Sequence, residues 1–401
     1  MKNKTKVLVA MSGGVDSSVA ALLMKKQDYE VIGAFMKNWS DTKNDLGECT
    51  WKDDRREALK VASKLGIPIV TLDFEKEYRR DVVNEMFKLY KQGITPNPDI
   101  DCNNKVKFPL LWKAAKRLKA DFMVTGHYAR IKKIVDNKKN SQNNKIKLRT
   151  KNSVNNKLKK AGRGSGGLKN YKYELHRAKD ETKDQSYFLY RLNESDLSHT
   201  IFPIGNYTKK QVRKIAQDND FPNFARKSTV GICFIGKVNL KDFLKKKIEP
   251  KKGRVLNSEG KQIGQHDGIF YYTIGQRLGP RFGIDIEKGG GKQKRWYVAR
   301  KNLKKNEIIA APEGHEMLYR KEIILSQCHW INKAPRKTKK TKVHARIRQV
   351  GELLPATLSN NKGKYKIILK KAITGVSEGQ ACVLYEIRSK KVLGGGVIGF
   401  D

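Results

Sequence analysis

The chain carries Ser12-Gly13-Gly14-Val15-Asp16-Ser17 between the apolar run Val7-Leu8-Val9-Ala10 and the segment Ser18-Val19-Ala20-Ala21-Leu22-Leu23-Met24. The apolar run predicts a buried parallel strand, and the segment after the glycines predicts a helix. Two glycines at the turn let backbone N–H groups face outward where the helix begins, and the serine hydroxyls add donors. A strand, a glycine-rich turn and a helix N-terminus together predict a site for a phosphate or pyrophosphate.

This loop differs from the two commoner phosphate-binding loops. A Walker loop ends in Gly-Lys-Ser/Thr, and the dinucleotide fingerprint is Gly-x-Gly-x-x-Gly; neither pattern is present at residues 12–17. The alternative interpretation is an ordinary glycine-containing turn that binds nothing. Four specific residue types within six positions, between a strand and a helix, favour the phosphate site.

The first third of the chain alternates between strand and helix patterns. Strands are predicted at residues 31–36, 67–72 and 122–125, and helices at residues 54–65 and 108–118. This alternation predicts an α/β fold with a doubly wound parallel sheet, which binds ligands at the carboxyl ends of its strands. The loops after Ala10, Met36 and Thr125 are therefore candidate walls of an active site.

Composition divides the chain into three predicted domains. Residues 1–238 form the α/β domain, residues 239–315 a small mixed domain, and residues 316–401 a β-barrel with short alternating segments. Strands are predicted in the last two at residues 254–256, 270–274, 296–299, 343–348, 365–369 and 381–385. Residues 131–170 hold 13 lysines and arginines against one acidic residue, which predicts a flexible, solvated insertion. Non-specific contact with RNA is the alternative role for this insertion.

The formal net charge of +45, from 85 basic and 40 acidic residues, favours a polyanionic partner. A compositional bias toward Lys and Asn is the alternative explanation for part of this charge. No apolar stretch approaches the roughly 18 residues of a membrane span, so no membrane association is expected. The loop begins at position 12, which leaves no room for a signal peptide, and a cytoplasmic location is expected. Five scattered cysteines without a Cys-x-x-Cys pair predict neither a zinc site nor a disulfide framework.

Two cysteines lie in unusual surroundings. Cys102 follows Asn97-Pro98-Asp99, where prolines stiffen a polar loop, and Cys233 lies between Gly231 and Gly236. Each is open to the interpretation of a buried apolar thiol. Beside a phosphate-binding loop, however, either cysteine becomes a candidate nucleophile, because a thiol is the strong nucleophile that this chain offers.

Several segments in order resemble the bacterial tRNA-specific 2-thiouridylases of the ATP pyrophosphatase superfamily. They are the glycine-rich loop, Gly93-Ile94-Thr95-Pro96-Asn97-Pro98-Asp99, Cys102-Asn103, Thr125-Gly126-His127-Tyr128, Lys183-Asp184-Gln185-Ser186-Tyr187-Phe188-Leu189, Gly231-Ile232-Cys233-Phe234-Ile235-Gly236, Tyr272-Thr273-Ile274-Gly275-Gln276-Arg277 and Leu393-Gly394-Gly395-Gly396. Apart from residues 131–170, the resemblance covers almost the whole chain.

The resemblance implies ATP-dependent 2-thiolation of the wobble uridine of the tRNAs for Lys, Glu and Gln, with Mg²⁺ accompanying ATP. Cys233 then carries a persulfide supplied by a donor protein, Cys102 is its partner thiol in a transient disulfide, and Asp99 acts as an acid or base. The implied ATP-binding residues are Ala10, Met11, Ser12, Gly13, Gly14, Val15, Asp16, Ser17, Met36 and Gly126. The residues implied to contact the target base or the tRNA anticodon arm are Asn97, Pro98, Asp99, His127, Lys183, Asp184, Gln185, Arg346, Ile347 and Gln380.

Two alternatives stay open on the residues alone. One is another ATP pyrophosphatase, such as an amidotransferase ligase or a lysidine-type RNA modifier, which would not need both Cys102 and Cys233. The other is a basic RNA-binding protein with a vestigial nucleotide fold, which would form no AMP when tRNA is present.

Overall fold

The computed structural model describes residues 4–42, 49–135, 171–226, 235, 239–279, 285–286, 295–335, 340–361 and 363–400. Cys233 and residues 136–170 of the predicted insertion lie outside these ranges. Within them, no helix is long and apolar enough to cross a membrane.

The first domain is built on a parallel sheet with strand order β3-β2-β1-β4-β7. Its strands are β1 (Lys6–Ala10), β2 (Glu30–Lys37), β3 (Ile69–Asp73), β4 (Phe122–Val124) and β7 (Thr200–Ile201). Neighbouring strands pair in parallel throughout, for example Val9 with Gly33 and with Val124. The prediction of a doubly wound α/β fold is confirmed.

Helices cover both faces of this sheet. They are α1 (Val15–Lys26), α2 (Thr50–Leu65), α3 (Glu75–Tyr78), α4 (Asn84–Lys91), α5 (Pro98–Asp101), α6 (Phe108–Arg117), α7 (Glu194–Ser198) and α8 (Lys209–Asp218). π-helical turns at Arg79–Val83 and Cys102–Lys107 join α3 to α4 and α5 to α6. Side chains of β1 alternate between two buried clusters, with Leu8 on one face and Val7 and Val9 on the other. The sheet is therefore buried on both sides, as its near-continuous apolar strands predict.

The start of the predicted insertion was wrong. Residues 131–135 belong to strand β5 (Ala129–Val135), which pairs antiparallel with β6 (Tyr171–Arg177) over its whole length. Lys132 and Lys133 are adjacent between Ile131 and Ile134, so apolar and charged residues do not alternate in this strand. The sequence pattern therefore did not indicate a strand at residues 131–135.

A second, mixed sheet follows, with strand order β10-β9-β8-β12-β11. Helix α9 (Leu240–Lys245) precedes β8 (Gly253–Leu256), β9 (Gln262–His266), β10 (Asp285–Ile286), β11 (Trp296–Asn302) and β12 (Glu307–Pro312). The strand predicted at residues 270–274 was wrong, because Ile269–Tyr271 forms a 3₁₀ turn. The aromatic run is buried by packing and not by strand pairing: the Tyr271 hydroxyl donates to the carbonyl oxygen of Ile248 at 2.5 Å.

The remaining strands close into a barrel, as predicted, in the order β13-β16-β15-β14-β17-β18. They are β13 (Tyr319–Trp330), β14 (Thr341–Arg346), β15 (Leu354–Asn361), β16 (Lys364–Thr374), β17 (Ala381–Tyr385) and β18 (Val392–Gly399). Ala381, Val383 and Tyr385 pack in one buried cluster with Leu111 and Leu175 of the first domain. The barrel therefore shares part of its core with the α/β domain.

Candidate active site

The strand order places a crevice between β1 and β4. The chain runs outward from β1 through β2 to β3 and then returns to the other side of β1 as β4, so the strand order reverses between β1 and β4. Ligands of open parallel sheets bind at such a point, outside the carboxyl ends of the strands. The glycine-rich loop follows β1, so the fold puts the predicted phosphate loop in the usual ligand position of its class.

Gly126 brings the two walls of this crevice into contact. A Cβ atom at this position would lie 2.8 Å from both the backbone nitrogen of Ser17 and the carbonyl carbon of Asp16. Real Cβ atoms do not approach backbone this closely, so a glycine is required. The loop after β4 therefore rests directly on the first turn of α1.

Backbone geometry and serine hydroxyls fix the conformation of the glycine-rich loop. Gly13 has a φ of +74°, and a Cβ there would lie 2.2 Å from the carbonyl oxygen of Asp54. The Ser17 hydroxyl donates to the carbonyl oxygen of Gly14 at 2.9 Å and accepts from the backbone nitrogen of Ser12 at 3.1 Å. Gly14 is the N-cap of α1 and has no side chain to satisfy the first-turn N–H groups. These N–H groups and the helix dipole are suited to an anion.

Asp16, in the first turn of α1, is held by two side chains from elsewhere in the domain. The Tyr128 hydroxyl donates to its Oδ1 at 2.9 Å, and the Lys209 ammonium lies 2.6 Å from the same oxygen. Burial and the charge of Asp16 raise the pKa of Tyr128, so this hydroxyl stays protonated as a donor. The loop thus carries a carboxylate whose charge is balanced by a lysine at the base of α8.

A second group of contacts holds the other side of the loop. Asn223 donates from Nδ2 to the carbonyl oxygen of Gly13 and to the Ser18 hydroxyl, each at 2.9 Å. Arg226 reaches the same carbonyl at 3.3 Å and the Asp54 carboxylate at 2.6 Å. Burial raises the pKa of the Asp54 carboxyl, and Arg226 opposes part of that shift. The segment after α8 is therefore anchored on the phosphate loop.

The remaining predicted ATP-binding residues lie at the same edge of the sheet. Ala10 ends β1 and pairs with Ala34, and the backbone nitrogen of Met11 donates to the carbonyl oxygen of Ala34 at 2.8 Å. Met36 lies two residues further along β2 and is buried with Ala10 in one cluster. The structure brings together Ala10, Met11, Ser12, Gly13, Gly14, Val15, Asp16, Ser17, Met36 and Gly126 around the carboxyl ends of β1, β2 and β4.

The segment before Cys102 forms the short helix α5, whose N-cap is Asn97. Asn97 accepts from the backbone nitrogen of Ile100 at 3.4 Å, and Pro98 takes the first position of α5, where its missing N–H costs nothing. Asn97, Pro98 and Asp99 are half-buried. Cys102 itself is fully buried at the start of the π-helical turn.

Cys102 shares its buried cluster with Trp39, which follows β2, and with Ile235. The Thr42 hydroxyl donates to the carbonyl oxygen of Ile235 at 3.0 Å, and Trp39 donates to Thr42 at 3.1 Å. Cys233 lies outside the described residues.

The central domain and the barrel both hold the loop of the α/β domain that carries Asn97, Pro98 and Asp99. From the central domain, the Lys301 ammonium donates to the carbonyl oxygens of Gly93 and Tyr272. The hydroxyls of Thr273 and Thr95 lie 3.0 Å apart. From the barrel, Gln380 donates through Nε2 to the carbonyl oxygens of Thr95 and Pro96, each at 3.0 Å. Gln380, predicted as a tRNA contact, thus fixes the loop of the predicted base-binding residues.

The Lys183-Asp184-Gln185 segment is divided between surface and interior. Lys183 is exposed, whereas the Asp184 side chain is fully buried and pairs with the Arg346 guanidinium at 2.9 Å. Gln185 accepts from the backbone nitrogen of Tyr128 at 2.9 Å and donates its own backbone N–H to the carbonyl oxygen of Tyr128 at 2.8 Å. Asp184 and Arg346 join two domains, a contact that the sequence did not indicate.

His127 and Ile347, two further predicted tRNA contacts, are buried. His127 stacks on Phe108 at a centroid distance of 5.8 Å, and its Nδ1 lies 2.7 Å from the Thr125 hydroxyl. Burial, with a smaller contribution from Lys107, lowers the pKa of His127 well below 6.5, so the ring is neutral. Ile347 is 4% exposed. Direct contact of these two side chains with tRNA stays a prediction.

The sequence analysis did not identify the residues that contact the glycine-rich loop from distant positions in the chain. Lys209, Asn223 and Arg226 contact residues 13–18 from other parts of the chain, and Asp54 pairs with Arg226. Lys209 is 193 residues from Asp16, and no local pattern marks it. Only Tyr128 carried a signal, because it ends a segment that the resemblance included.

Comparison with known proteins agrees with this architecture. Family models described as the tRNA methyl transferase HUP domain, the tRNA methyl transferase PRC-barrel domain and the aminomethyltransferase beta-barrel domain match residues 5–237, 241–312 and 320–398. The chain is 37% identical to the tRNA-specific 2-thiouridylase MnmA of Vesicomyosocius okutanii over 99% of both chains. It is 38% identical to that of Nitrosomonas europaea, over 99% of this chain and 98% of the relative. For the Bacillus subtilis protein the identity is 37%, over 98% of this chain and 95% of the relative.

The glycine-rich loop at the crevice, the buried Cys102 packed with Trp39 after β2 and the barrel joined to the α/β domain thus occur in a chain that matches these relatives along its length. This chain belongs to the tRNA-specific 2-thiouridylase family.

Proposed function

We propose that this protein is an ATP-dependent tRNA sulfurtransferase that replaces the 2-oxygen of the wobble uridine with sulfur in the tRNAs for Lys, Glu and Gln. The observation that carries the proposal is that one edge of the sheet holds both halves of such a site. The uncapped first turn of α1 lies at the carboxyl end of β1, and Trp39, just after β2, is buried together with Cys102.

In the first step, the 2-oxygen of the uracil attacks the α-phosphorus of ATP and pyrophosphate leaves. The N–H groups of the first turn of α1 and the Ser12 hydroxyl bind the phosphate oxygens on which negative charge develops, while the Ser17 hydroxyl holds the Gly14 carbonyl oxygen. Gly126 keeps the opposite wall close, and Met36 borders the nucleoside. This step converts a poor leaving group, the carbonyl oxygen, into AMP.

Mg²⁺ fits this site as a companion of ATP and not as a resident metal. In the part of the chain that the structure describes, no three His, Cys, Asp or Glu side chains gather as a metal site. Mg²⁺ usually binds through one or two carboxylates together with substrate phosphates. Asp16 is the carboxylate at the loop, and the ion would supply neutralisation of the phosphate charge.

In the second step, sulfur from a Cys233 persulfide reaches C2 of the activated base and AMP leaves. Either the terminal persulfide sulfur attacks C2 and Cys102 then attacks Sγ of Cys233, or Cys102 first releases hydrosulfide, which attacks C2. Both routes end in a Cys102–Cys233 disulfide, so a thiol reductant must return two electrons before the next cycle. We assign to Asp99, three residues before Cys102, the exchange of a proton with the base. The persulfide comes from a donor protein.

The anticodon base must leave its stack to reach this site, at a cost of a few kcal/mol. Contacts with the anticodon arm elsewhere offset that cost, and the net charge of +45 favours them. We assign Lys183, which is exposed, to the RNA surface, and Asn97, Pro98 and Asp99 to the base. Asp184, Gln185, Arg346 and Gln380 hold these elements in position, with His127 and Ile347 packed behind them. The cytoplasm, where tRNA and persulfide donors meet, is the proposed location.

Mass spectrometry of nucleosides from an unmodified substrate tRNA tests the proposal after incubation with ATP, a persulfide source and the protein. We expect 2-thiouridine with the wild type and none with Cys233→Ser or Cys102→Ser. Cys328→Ser is the matched control, because Cys328 lies in β13 of the barrel, and it should thiolate normally. AMP release must depend on the tRNA; full thiolation by Cys102→Ser or Cys233→Ser would exclude the proposed sulfur path.

A further inference from the structure

The phosphate loop lacks the lysine that Walker loops place beside the nucleotide. Its own charged residue is an acid, Asp16, in the first turn of α1. A triphosphate approaching the first-turn N–H groups meets this carboxylate, and like charges repel at such short range. Beside the Mg²⁺ that accompanies ATP, a cation from elsewhere in the chain offsets this repulsion.

Lys209 is placed to be that cation. Its ammonium lies 2.6 Å from Oδ1 of Asp16, and its side chain is only 14% exposed. The ring of Tyr128, whose hydroxyl donates to the same Asp16 oxygen, lies 5.9 Å from the ammonium. The amine therefore stands where the loop after β1 and the loop after β4 meet, which is the crevice between the two walls.

The backbone of Lys209 is fixed independently of this ion pair. Its N–H donates to Asp180 at 2.9 Å, and the preceding Thr208 forms a capping box with Gln211. Helix α8 packs on α1 through Val212 and Ala216 in the same buried cluster as Val15 and Val19. The lysine is therefore delivered to the loop from a rigid base, and only its side chain needs to move.

We propose that Lys209 is a phosphate ligand of the ATP site and that its ammonium bridges Asp16 and the β- or γ-phosphate of bound ATP. An ammonium has three donors, and Asp16 accepts from one of them, so one group can satisfy both anions. This inference rests on the proposed use of ATP. Lys209, which is 193 residues from Asp16 in the chain, supplies the cation that the loop itself lacks.

The test compares binding of ATP and of adenosine to the full-length protein, measured by displacement of a fluorescent ATP analogue. Lys209→Met should weaken ATP binding about 10- to 100-fold, the usual size of a hydrogen bond to a charged group. Adenosine binding should change less than about twofold, because adenosine has no phosphate. Lys210→Met is the matched control, since Lys210 is the exposed neighbour on the same helix, and it should bind ATP as the wild type does. Lys209→Arg keeps the charge and should retain most of the affinity for ATP.

The outcomes separate this inference from the function on which it rests. If the wild type does not bind ATP, the proposed function fails and the inference fails with it. If the wild type binds ATP and Lys209→Met binds it equally well, only the inference is overturned. Equal losses of ATP and adenosine affinity would also overturn it, because Lys209 would then act only by shaping the loop. Thermal melting of each variant verifies that the fold is intact.

Discussion

The Asp184 carboxylate and the Arg346 guanidinium form an ion pair of 2.9 Å in which the two side chains are 0% and 7% exposed. Asp184 comes from the α/β domain and Arg346 ends strand β14 of the barrel. The next residue, Gln185, is bonded to both backbone groups of Tyr128, which in turn donates to Asp16. Together with the peptide bond between Asp184 and Gln185, these contacts link the barrel to the first turn of α1.

Breaking this pair should destabilise the protein strongly. Asp184→Asn leaves the Arg346 charge buried without its partner, which costs about 3–5 kcal/mol in comparable buried pairs. Urea denaturation of the full chain measures the change. Lys390→Met is the control, because Lys390 and Glu181 pair at 3.0 Å with both side chains about half exposed, and such pairs contribute less than about 1 kcal/mol. Equal effects of the two substitutions would contradict a stabilising role for the buried pair.

Gly126→Ala should weaken ATP binding while the fold persists. The added methyl group would lie 2.8 Å from the backbone of Asp16 and Ser17, so the loop after β4 must move away from α1. Overpacking of this kind costs about 1–3 kcal/mol, which corresponds to about a 5- to 150-fold loss of affinity if the cost falls on the bound state. Titration with ATP measures it. Gly399→Ala, where a Cβ would meet nothing within 4 Å, should bind ATP normally. An unchanged affinity in Gly126→Ala would show that contact between the walls is not needed.

The sequence predicted those strands and loops whose pattern lies within a few consecutive residues. The strands at residues 31–36 and 122–125 were found because buried parallel strands are apolar runs, and the phosphate loop was found because its glycines and serines are contiguous. The aromatic run at residues 270–274 was wrongly predicted as a strand, because a buried turn and a strand can share the same composition. Lys209 and the partner of Asp184 could not be predicted, because a contact between distant residues leaves no periodic signal in the sequence.

Gln380→Ala should slow thiolation without affecting ATP binding. It removes two hydrogen bonds that the barrel donates to the carbonyl oxygens of Thr95 and Pro96. Each such bond contributes about 1 kcal/mol, so the rate should fall about 5- to 30-fold if the loop must be held for the base. Single-turnover thiolation and ATP titration separate the two effects. Gln262→Ala, an exposed glutamine in β9, serves as the control. A parallel loss of ATP affinity in Gln380→Ala would argue for a general change in structure.

Lys301 should make the protein more stable as the pH rises above 8. Burial lowers its pKa from 10.5 to about 8, so between these values the unfolded chain binds a proton that the folded protein does not. Stability then rises with pH in this window by up to about 1.4 kcal/mol per pH unit, or about 3 kcal/mol in total, and the contribution is absent below pH 8. Lys301→Met removes the group, so its stability relative to the wild type should decline steadily from pH 8 to 10 in urea denaturation. Lys304→Met, at an exposed position on the same hairpin, should follow the wild type throughout. Parallel pH profiles for wild type and Lys301→Met would mean that the Lys301 amine is solvated and that burial does not lower its pKa.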